Sequence, residues 1–306
     1  MQYYDVIGDI HGHADALEAL LLRLGYQYKD SVYQHTSNKA LFVGDLIDRG
    51  PKQRRVIEVV RSMVQHGQAH CVMGNHEFNA ICYATTGANG RPLRANNERN
   101  RKQHAAFLNA YPRRQERDQI INWFKSLPLF IETEGLRVIH AAWNEPALTH
   151  LSAYIDHNNG LLDSAYSHYA DRSSNFYHAI ETILKGPETR LPEGVSFQDK
   201  EGAIRNKARI MWWRQEDLPA QQRLHLGDKL NNGDKLSQLS IANGHYYQQQ
   251  DKPLFVGHYW LDQDVPALCT NNCACLDYSI AQQGKLVAYK WRGERRLSAD
   301  NFEWTR

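Results

Sequence analysis

A chain of 306 residues that is 42% hydrophobic and 23% charged has an ordinary soluble balance and the length to bury a large core. Its formal net charge of +2 is too small for a protein that binds nucleic acid through charge, so no nucleic-acid partner is expected. No apolar run approaches the roughly 18 residues that span a bilayer, and Met1-Gln2-Tyr3-Tyr4-Asp5 lacks the basic and apolar regions of a secretory leader. No membrane partner and a cytoplasmic location are therefore expected. Five cysteines at this length make no disulfide framework, and reduced thiols are expected.

In chain order, an apolar strand over Tyr3 to Ile7 runs into Gly8-Asp9-Ile10-His11-Gly12. Leu17, Leu20, Leu21 and Leu24 then recur at helical spacing until Gly25. A second strand, Ala40 to Val43, runs into Gly44-Asp45-Leu46-Ile47-Asp48-Arg49-Gly50. Pro51, a favoured first helical residue, opens a helix that carries Val56, Ile57, Val59, Val60, Met63 and Val64 and stops at Gly67. A third strand, Ala69 to Met73, meets Gly74-Asn75-His76-Glu77. These strand, loop and helix repeats gather polar residues at one edge of a sheet.

Thr85 to Asn100 reads as a surface loop near that edge, followed by amphipathic helices over 101–111 and 115–126. Arg91, Arg94, Arg99, Arg101, Lys102, Arg113, Arg114 and Arg117 make this stretch locally basic, as the solvated face of a helix often is. Strands at Leu129 to Thr133 and Leu136 to Ala141 hinge on Glu134-Gly135, and the second ends at His140. The region 142–250 is polar and poorly periodic, with helices expected over 148–156 and 162–184; it reads as a substrate-facing insertion in a single domain covering 1–306. Strands return at Pro253 to His258, Ala274 to Tyr278 and Lys285 to Trp291, and are expected to complete a second sheet. Cys269, Cys273 and Cys275 offer only three local ligands and read as loop and strand thiols rather than a zinc site. Trp212 and Trp213 are expected to pack in the core.

Two divalent cations held roughly 3.5–4 Å apart need a bridging carboxylate flanked by mixed oxygen and imidazole ligands. Asp9 and His11, two residues apart at one strand end, share a side and can close on one ion. Asp45 would bridge to the second, completed by Asn75, His140 and His258. Any one of these residues has an ordinary structural use as a helix cap or a core hydrogen-bonder. Six of them, all at strand ends and most beside a glycine, do not.

The runs GDIHG (8–12), GDLIDRG (44–50) and GNHE (74–77), with the His140 strand and Gly257-His258, resemble the calcineurin-like metallophosphoesterases of the phosphoprotein phosphatase type. That resemblance implies an α/β fold, a sandwich of two mixed β-sheets flanked by helices. It implies Asp9, His11 and Asp45 on one metal and Asp45, Asn75, His140 and His258 on the other. It also implies direct attack on phosphorus by a hydroxide bridging the two cations. Manganese is the expected metal, with iron, zinc or nickel compatible with the same ligands.

His76, beside Asn75, is placed to supply a proton to the leaving oxygen, with Asp48 orienting it. The Arg49 fork can hold two phosphoryl oxygens. A second arginine is usual in the resembling family, and Arg214 is the first candidate, with Arg205 and Arg209 behind it. Ala141-Ala142-Trp143 departs from the usual small glycine pair, and Trp143 is expected to narrow the pocket. With no recognition features of eukaryotic serine/threonine phosphatases in 150–250, bacterial relatives are the closer comparison.

The leading expectation is a phosphomonoesterase acting on phosphoserine, phosphothreonine or phosphotyrosine peptides and small aryl phosphates. The alternative is a dinucleoside tetraphosphate or nucleotide phosphohydrolase, for which a polyphosphate would need extra cations such as the arginines at 91–117. Retention of Asp48, Arg49 and His76 argues against a catalytically inactive metal-binding adaptor.

Overall fold

A computed structural model describes residues 2–199, 202–215, 217–241 and 247–305. The first half builds the edge that the sequence marks. Strand β1 (Tyr3–Ile7) leads into helix α1 (Ala14–Arg23), which buries Leu17, Leu20 and Leu21. A short hairpin, β2 (Gln27–Lys29) and β3 (Val32–Gln34), precedes β4 (Asn38–Phe42), which runs parallel to β1 with Ile7 opposite Phe42. Helix α2 (Gln53–Gln65) returns the chain to β5 (Ala69–Cys71), parallel to β4, and α3 begins directly after it at Asn75–Ala84. Three parallel strands thus end side by side.

Helix α2 starts two residues later than Pro51 suggests because the Gln53 side chain organises the loop before it. Its amide nitrogen donates to Gly50 O and Asp48 O, and its amide oxygen accepts from Asp48 N. Helices α4 (Glu98–Ala110) and α5 (Arg114–Lys125) follow, then the hairpin β6 (Phe130–Glu132) and β7 (Arg137–Ile139). After α6 (Glu145–Leu151), the helix expected over 162–184 is broken. A 3-10 stretch, Asp163–Ala170, is separated from α7 (Asn175–Lys185) by a turn. Asp171 Oδ1 accepts from Ser173 N, and Ser174 Oγ caps the new helix by accepting from Tyr177 N.

Beyond α7, the described residues of the poorly periodic region form six short strands and one short α-helix. They are β8 (Glu188–Arg190), β9 (Ser196–Gln198), β10 (Ile204–Arg205), β11 (Lys207–Ile210), α8 (Ala220–Arg223), β12 (Leu224–His225) and β13 (Asp228–Asn231). They make two three-stranded antiparallel sheets, β10-β9-β13 and β12-β11-β8. Strands of two to four residues are too short for alternation to register in a sequence.

Strand β14 (Leu254–Val256) slots between β7 and β15 (Cys273–Cys275), parallel to both, giving a mixed sheet β15-β14-β7-β6. The last strands, β16 (Asp277–Tyr278), β17 (Lys285–Trp291) and β18 (Phe302–Thr305), do not extend that sheet as expected but join the first one. Leu286, Val287, Ala288 and Tyr289 of β17 are all buried, so the strand needs cover on both faces and neighbours on both sides. It finds them antiparallel to β1 and to β16 and β18.

Between the sheets lies an apolar layer of Val6, Leu41, Val43 and Val72 against Val138, Phe255 and Ala274. A larger core fills the space under the helices. The result is the α/β sandwich of two mixed sheets flanked by helices that the motifs implied. No helix among the described residues is long and apolar enough to cross a membrane.

Candidate functional site

The strand ends of both sheets converge. Asp9 and His11 follow β1, Asp45 and Asp48 follow β4, Asn75 opens α3, His140 follows β7 and His258 follows β14. Asp45 lies at the centre. Its Oδ2 is 3.6 Å from His11 Nε2 and its Oδ1 is 3.4 Å from His140 Nε2. Ligand-type atoms of His11, Asp45 and His76 all lie within 4.8 Å of one another, and so do those of Asp45, His140 and His258. The two groups share Asp45, the arrangement expected of a bridging carboxylate. Asn75 joins the second group, its Oδ1 3.0 Å from His140 Nε2.

The imidazoles are oriented from behind. His11 Nδ1 contacts Ile47 O at 2.9 Å and His140 Nδ1 contacts Val43 O at 2.7 Å. His11, donating its Nδ1 hydrogen to a carbonyl, presents a bare Nε2 to the centre, as metal-binding histidines do. His140 Nε2 instead faces the oxygens of Asn75 and Asp45. Burial would lower the His140 pKa, but Asp45 outweighs it and raises it. Asp9 Oδ1, His11 Nε2 and His258 Nε2 are buried with no hydrogen-bond partner. Orphaned acceptors of this kind cost about 1–3 kcal/mol each unless something binds them. They fit a pair of cations.

The electrostatics point the same way. Burial, then Asp277 and Asp45, push the Asp9 carboxyl well above the usual range. Burial and neighbouring His76 drive His11 down to about 3, and burial with Arg209 holds His258 well below its ordinary value. Both rings are therefore neutral, the form that coordinates a metal. Burial opposes ionisation of Asp45, but His140, His76 and His11 around it outweigh burial and keep its carboxyl well below the usual range.

The backbone is bent to deliver these groups. His11, Asp45, Asp48, Arg49, His258 and Trp260 all have positive φ, between 45° and 72°. Left-handed conformations at non-glycine residues cost of order 1–3 kcal/mol each and collect where geometry serves a ligand. Glu77 offsets part of that cost. Its carboxylate accepts from Asp45 N, Leu46 N and Gly74 N at 2.9, 2.9 and 3.0 Å. At Gly257 the reason for glycine is steric, since a Cβ there would lie 2.0 Å from Asp9 Oδ1.

His76 Nδ1 is 2.6 Å from Asp48 Oδ2, as expected. Burial would lower the His76 pKa, but Asp45 and the bond to Asp48 outweigh it and raise it. The other Asp48 oxygen is held by His104 Nδ1 at 2.9 Å, a partner that sequence reasoning missed. The signal was faint: His104 lies three and seven residues before buried Phe107 and Tyr111 and thus on the buried face of α4. Glu77 and Trp260 carried no comparable signal.

Asp45, Asp48, Arg49, Asn75, His76 and His258 open into a cavity of about 580 Å³. Arg49 stacks on Trp260, its Cζ 4.2 Å from the ring centroid. Arg205 and Arg209 line the cavity, whereas Arg214, the first-ranked second arginine, is exposed and does not. Arg214 follows the Trp212-Trp213 pair, which is buried and orients that turn; Trp212 Nε1 donates to Ala141 O. Trp143 does not narrow the cavity either. It packs edge-on against Phe130, with Arg137 over its ring at 4.4 Å. Cys273 and Cys275 lie buried on β15 and Cys269 in the loop before it.

A model of the calcineurin-like phosphoesterase family matches residues 4–183, which is 180 of the 306 residues. The chain belongs to the calcineurin-like phosphoesterase family. That family is dinuclear and metal-dependent, in keeping with the two donor groups around Asp45. The chain is 48% identical over 73 residues to the asymmetrical bis(5'-nucleosyl)-tetraphosphatase PrpE of Oceanobacillus iheyensis, covering 24% of this chain and 29% of the relative. It is 37% identical over 149 residues to the protein of the same name from Halalkalibacterium halodurans, covering 46% and 58%. The matches thus span less than two thirds of these relatives' own length. Among solved structures, the cold-active protein-tyrosine phosphatase of a psychrophilic Shewanella aligns over 95% of this chain and 76% of its own, at 15% identity and a TM-score of 0.49.

Proposed function

We propose that this phosphoesterase is a dinuclear, manganese-dependent hydrolase of the bacterial phosphoprotein phosphatase type, and that its substrate is a dinucleoside tetraphosphate or related nucleotide. The observation that carries the chemistry is Asp45, shared by two ligand groups beside the His76–Asp48 pair and Arg49. Asp9, His11 and Asp45 would hold one ion, and Asp45, Asn75, His140 and His258 the other. When bound, the ions supply the Lewis acidity that activates water and neutralises phosphoryl charge.

The chain's own groups do the rest. Arg49, steadied by Trp260, presents its fork to the phosphoryl oxygens. Arg209 replaces Arg214 as the second clamp, since it lines the cavity and its Nε is buried without a hydrogen-bond partner. His76 holds its Nδ1 hydrogen on Asp48, leaving Nε2 to give a proton to the departing oxygen.

For the substrate, two points favour the nucleotide over the phosphopeptides that the sequence alone suggested. The relatives carry a nucleotide hydrolase's name. The cavity also presents Arg94, Arg99, Lys185 and Lys207 in addition to Arg49, Arg205 and Arg209. Lys185 and Arg205 are paired with Glu181 and Asp199, and the cations that remain suit a phosphate chain better than a single phosphoryl group.

The test is manganese-loaded protein offered diadenosine tetraphosphate, phosphopeptides and p-nitrophenyl phosphate. Cleavage of the first into a nucleoside triphosphate and a monophosphate, preferred over phosphopeptides, is expected. Turnover of phosphopeptides alone overturns the substrate. No turnover with manganese, iron, zinc or nickel overturns the phosphoesterase reading and leaves the inactive adaptor.

A further inference from the structure

Three of the cavity's seven cations are already engaged, and Arg209 is assigned above to the reacting phosphoryl. Lys185 pairs with Glu181, Arg205 with Asp199 at 2.7 Å, and Arg49 lies over Trp260. Arg99 and Lys207 are exposed and solvated. Arg94 differs. It is half-buried in the wall, and its guanidinium is fixed at both ends by neutral amides: Nη1 donates to Asn79 Oδ1 at 2.6 Å and Nη2 to Gln103 Oε1 at 2.9 Å. No ion pair to it within 4.0 Å occurs among the described residues. Its backbone is pinned as well, Arg94 N donating to Cys82 O.

A guanidinium drawn partly out of water, with neutral hydrogen-bond partners and with Asp48 and Glu181 acting on it only from beyond ion-pair distance, is undercompensated, since burial outweighs them and opposes its charge. The cost is recovered when an anion arrives, and fixing the fork in advance lowers the entropy that binding must spend. The same helix that holds Arg94 through Gln103 holds Asp48 through the next residue, His104. Arg94 is thereby set in register with the proton donor. Asn79, Tyr83 and Asn100 line the cavity beside it and add neutral hydrogen-bonding groups.

We propose that Arg94 is a second phosphate subsite, which binds a phosphate further along a phosphoanhydride chain whose reacting phosphoryl lies at Arg49. The inference rests on the Arg49 cavity being the phosphoester site and assigns the chain-length selectivity of that site to one residue. A monoester leaves Arg94 unused. A chain of three or more phosphates reaches it.

The experiment compares inorganic tripolyphosphate with orthophosphate as inhibitors of p-nitrophenyl phosphate hydrolysis, at fixed free manganese, in the wild type, Arg94→Gln and Arg94→Lys. The readout is the ratio of the two inhibition constants within each protein, so any loss of folded enzyme cancels. The wild type is expected to favour tripolyphosphate by tenfold or more, Arg94→Gln to reduce that preference to within threefold, and Arg94→Lys to restore part of it. A wild-type ratio near one, or a ratio unchanged in Arg94→Gln, overturns the subsite. For a variant without turnover, the same ratio is read by calorimetric titration of the manganese-loaded protein. A collapse of the ratio in an enzyme that ignores diadenosine tetraphosphate sustains the subsite and defeats only the nucleotide substrate.

Discussion

His104 Nδ1 lies 2.9 Å from Asp48 Oδ1, so the carboxylate that orients His76 is itself held from a helix 56 residues further along the chain. His104 touches no reacting group and acts by positioning. Without it, Asp48 keeps one anchor and His76 loses its fixed direction. His104→Ala is expected to lower kcat about tenfold to a hundredfold with KM nearly unchanged, in line with losses of outer support at such sites. His76→Ala should cost about 10²–10⁴ in kcat. Steady-state kinetics on manganese-loaded protein check both. A His104→Ala enzyme whose loss falls on KM instead contradicts the positioning role.

Three orphaned buried atoms, on Asp9, His11 and His258, make the folded chain a better metal binder than the unfolded one. An ion that binds the native state alone at a hundred times its Kd adds about 2.7 kcal/mol of stability. Stripping the protein with a chelator should therefore lower its melting temperature, and manganese should restore it in a concentration-dependent way. Asp45→Asn should reduce bound metal below two ions per chain, because it weakens the one ligand common to both groups. Elemental analysis beside calorimetry decides this, and two tight ions in Asp45→Asn would remove Asp45 from the bridging position.

The candidate ligands that the sequence marks lie at converging strand ends because strand ends can be read: an apolar run, a glycine and a polar residue place Asp9, Asp45 and His140 without knowledge of the fold. What supports them could not be read. Glu77 and His104 act across 31 and 56 residues through side-chain geometry that leaves no periodic trace. The sequence offers Arg214 first, with Arg205 and Arg209 behind it, but Arg205 and Arg209 line the cavity and Arg214, after a turn held by buried tryptophans, does not. The same limit hid β17's place in the first sheet. Its strand pattern was clear, but pairing partners depend on which faces need covering.

Glu77 accepts three backbone N–H groups from the loops that carry Asp45 and Asn75. Glu77→Ala leaves all three buried and unpaired at about 1–3 kcal/mol each before relaxation or entering water offsets some of it. A loss of about 3 kcal/mol in unfolding free energy is expected, with Glu77→Gln, which keeps an acceptor oxygen, losing less. Denaturant melts of the three proteins check the order. Equal stability of Glu77→Ala and wild type would mean the loops hold themselves.

At the opposite end of the strands that deliver His140 and His258, Glu132 accepts from Arg137 Nε at 3.0 Å and Lys252 Nζ at 2.9 Å. Burial works against its charge, but these two cations outweigh it and hold the Glu132 carboxyl below its ordinary value. A depressed carboxylate contributes stability above its unfolded pKa of about 4.3 and loses it as pH falls through the lower folded value. The group is partly exposed, so screening limits the effect to a few tenths of a kcal/mol. Glu132→Gln should melt slightly below wild type at pH 7, and the gap should close toward pH 3. A gap that widens on acidification reverses the sign of the linkage.

Gly257 tests the centre by shape alone. Its φ is not in the left-handed region, so alanine is acceptable to the backbone, but the new methyl would stand 2.0 Å from Asp9 Oδ1 and 2.9 Å from Val43 Cγ2. Neither neighbour can yield cheaply: Val43 belongs to the apolar layer between the sheets, and Asp9 Oδ2 accepts from His258 N at 3.1 Å. Overpacking of this kind costs typically 1–3 kcal/mol, and here the carboxylate is the part that moves. Gly257→Ala should therefore retain its far-ultraviolet circular dichroism while losing metal from the Asp9 side and about a hundredfold in kcat, a displacement of order 1 Å being enough for that. Full metal content with normal turnover in Gly257→Ala would show that Asp9 tolerates displacement and is no ligand.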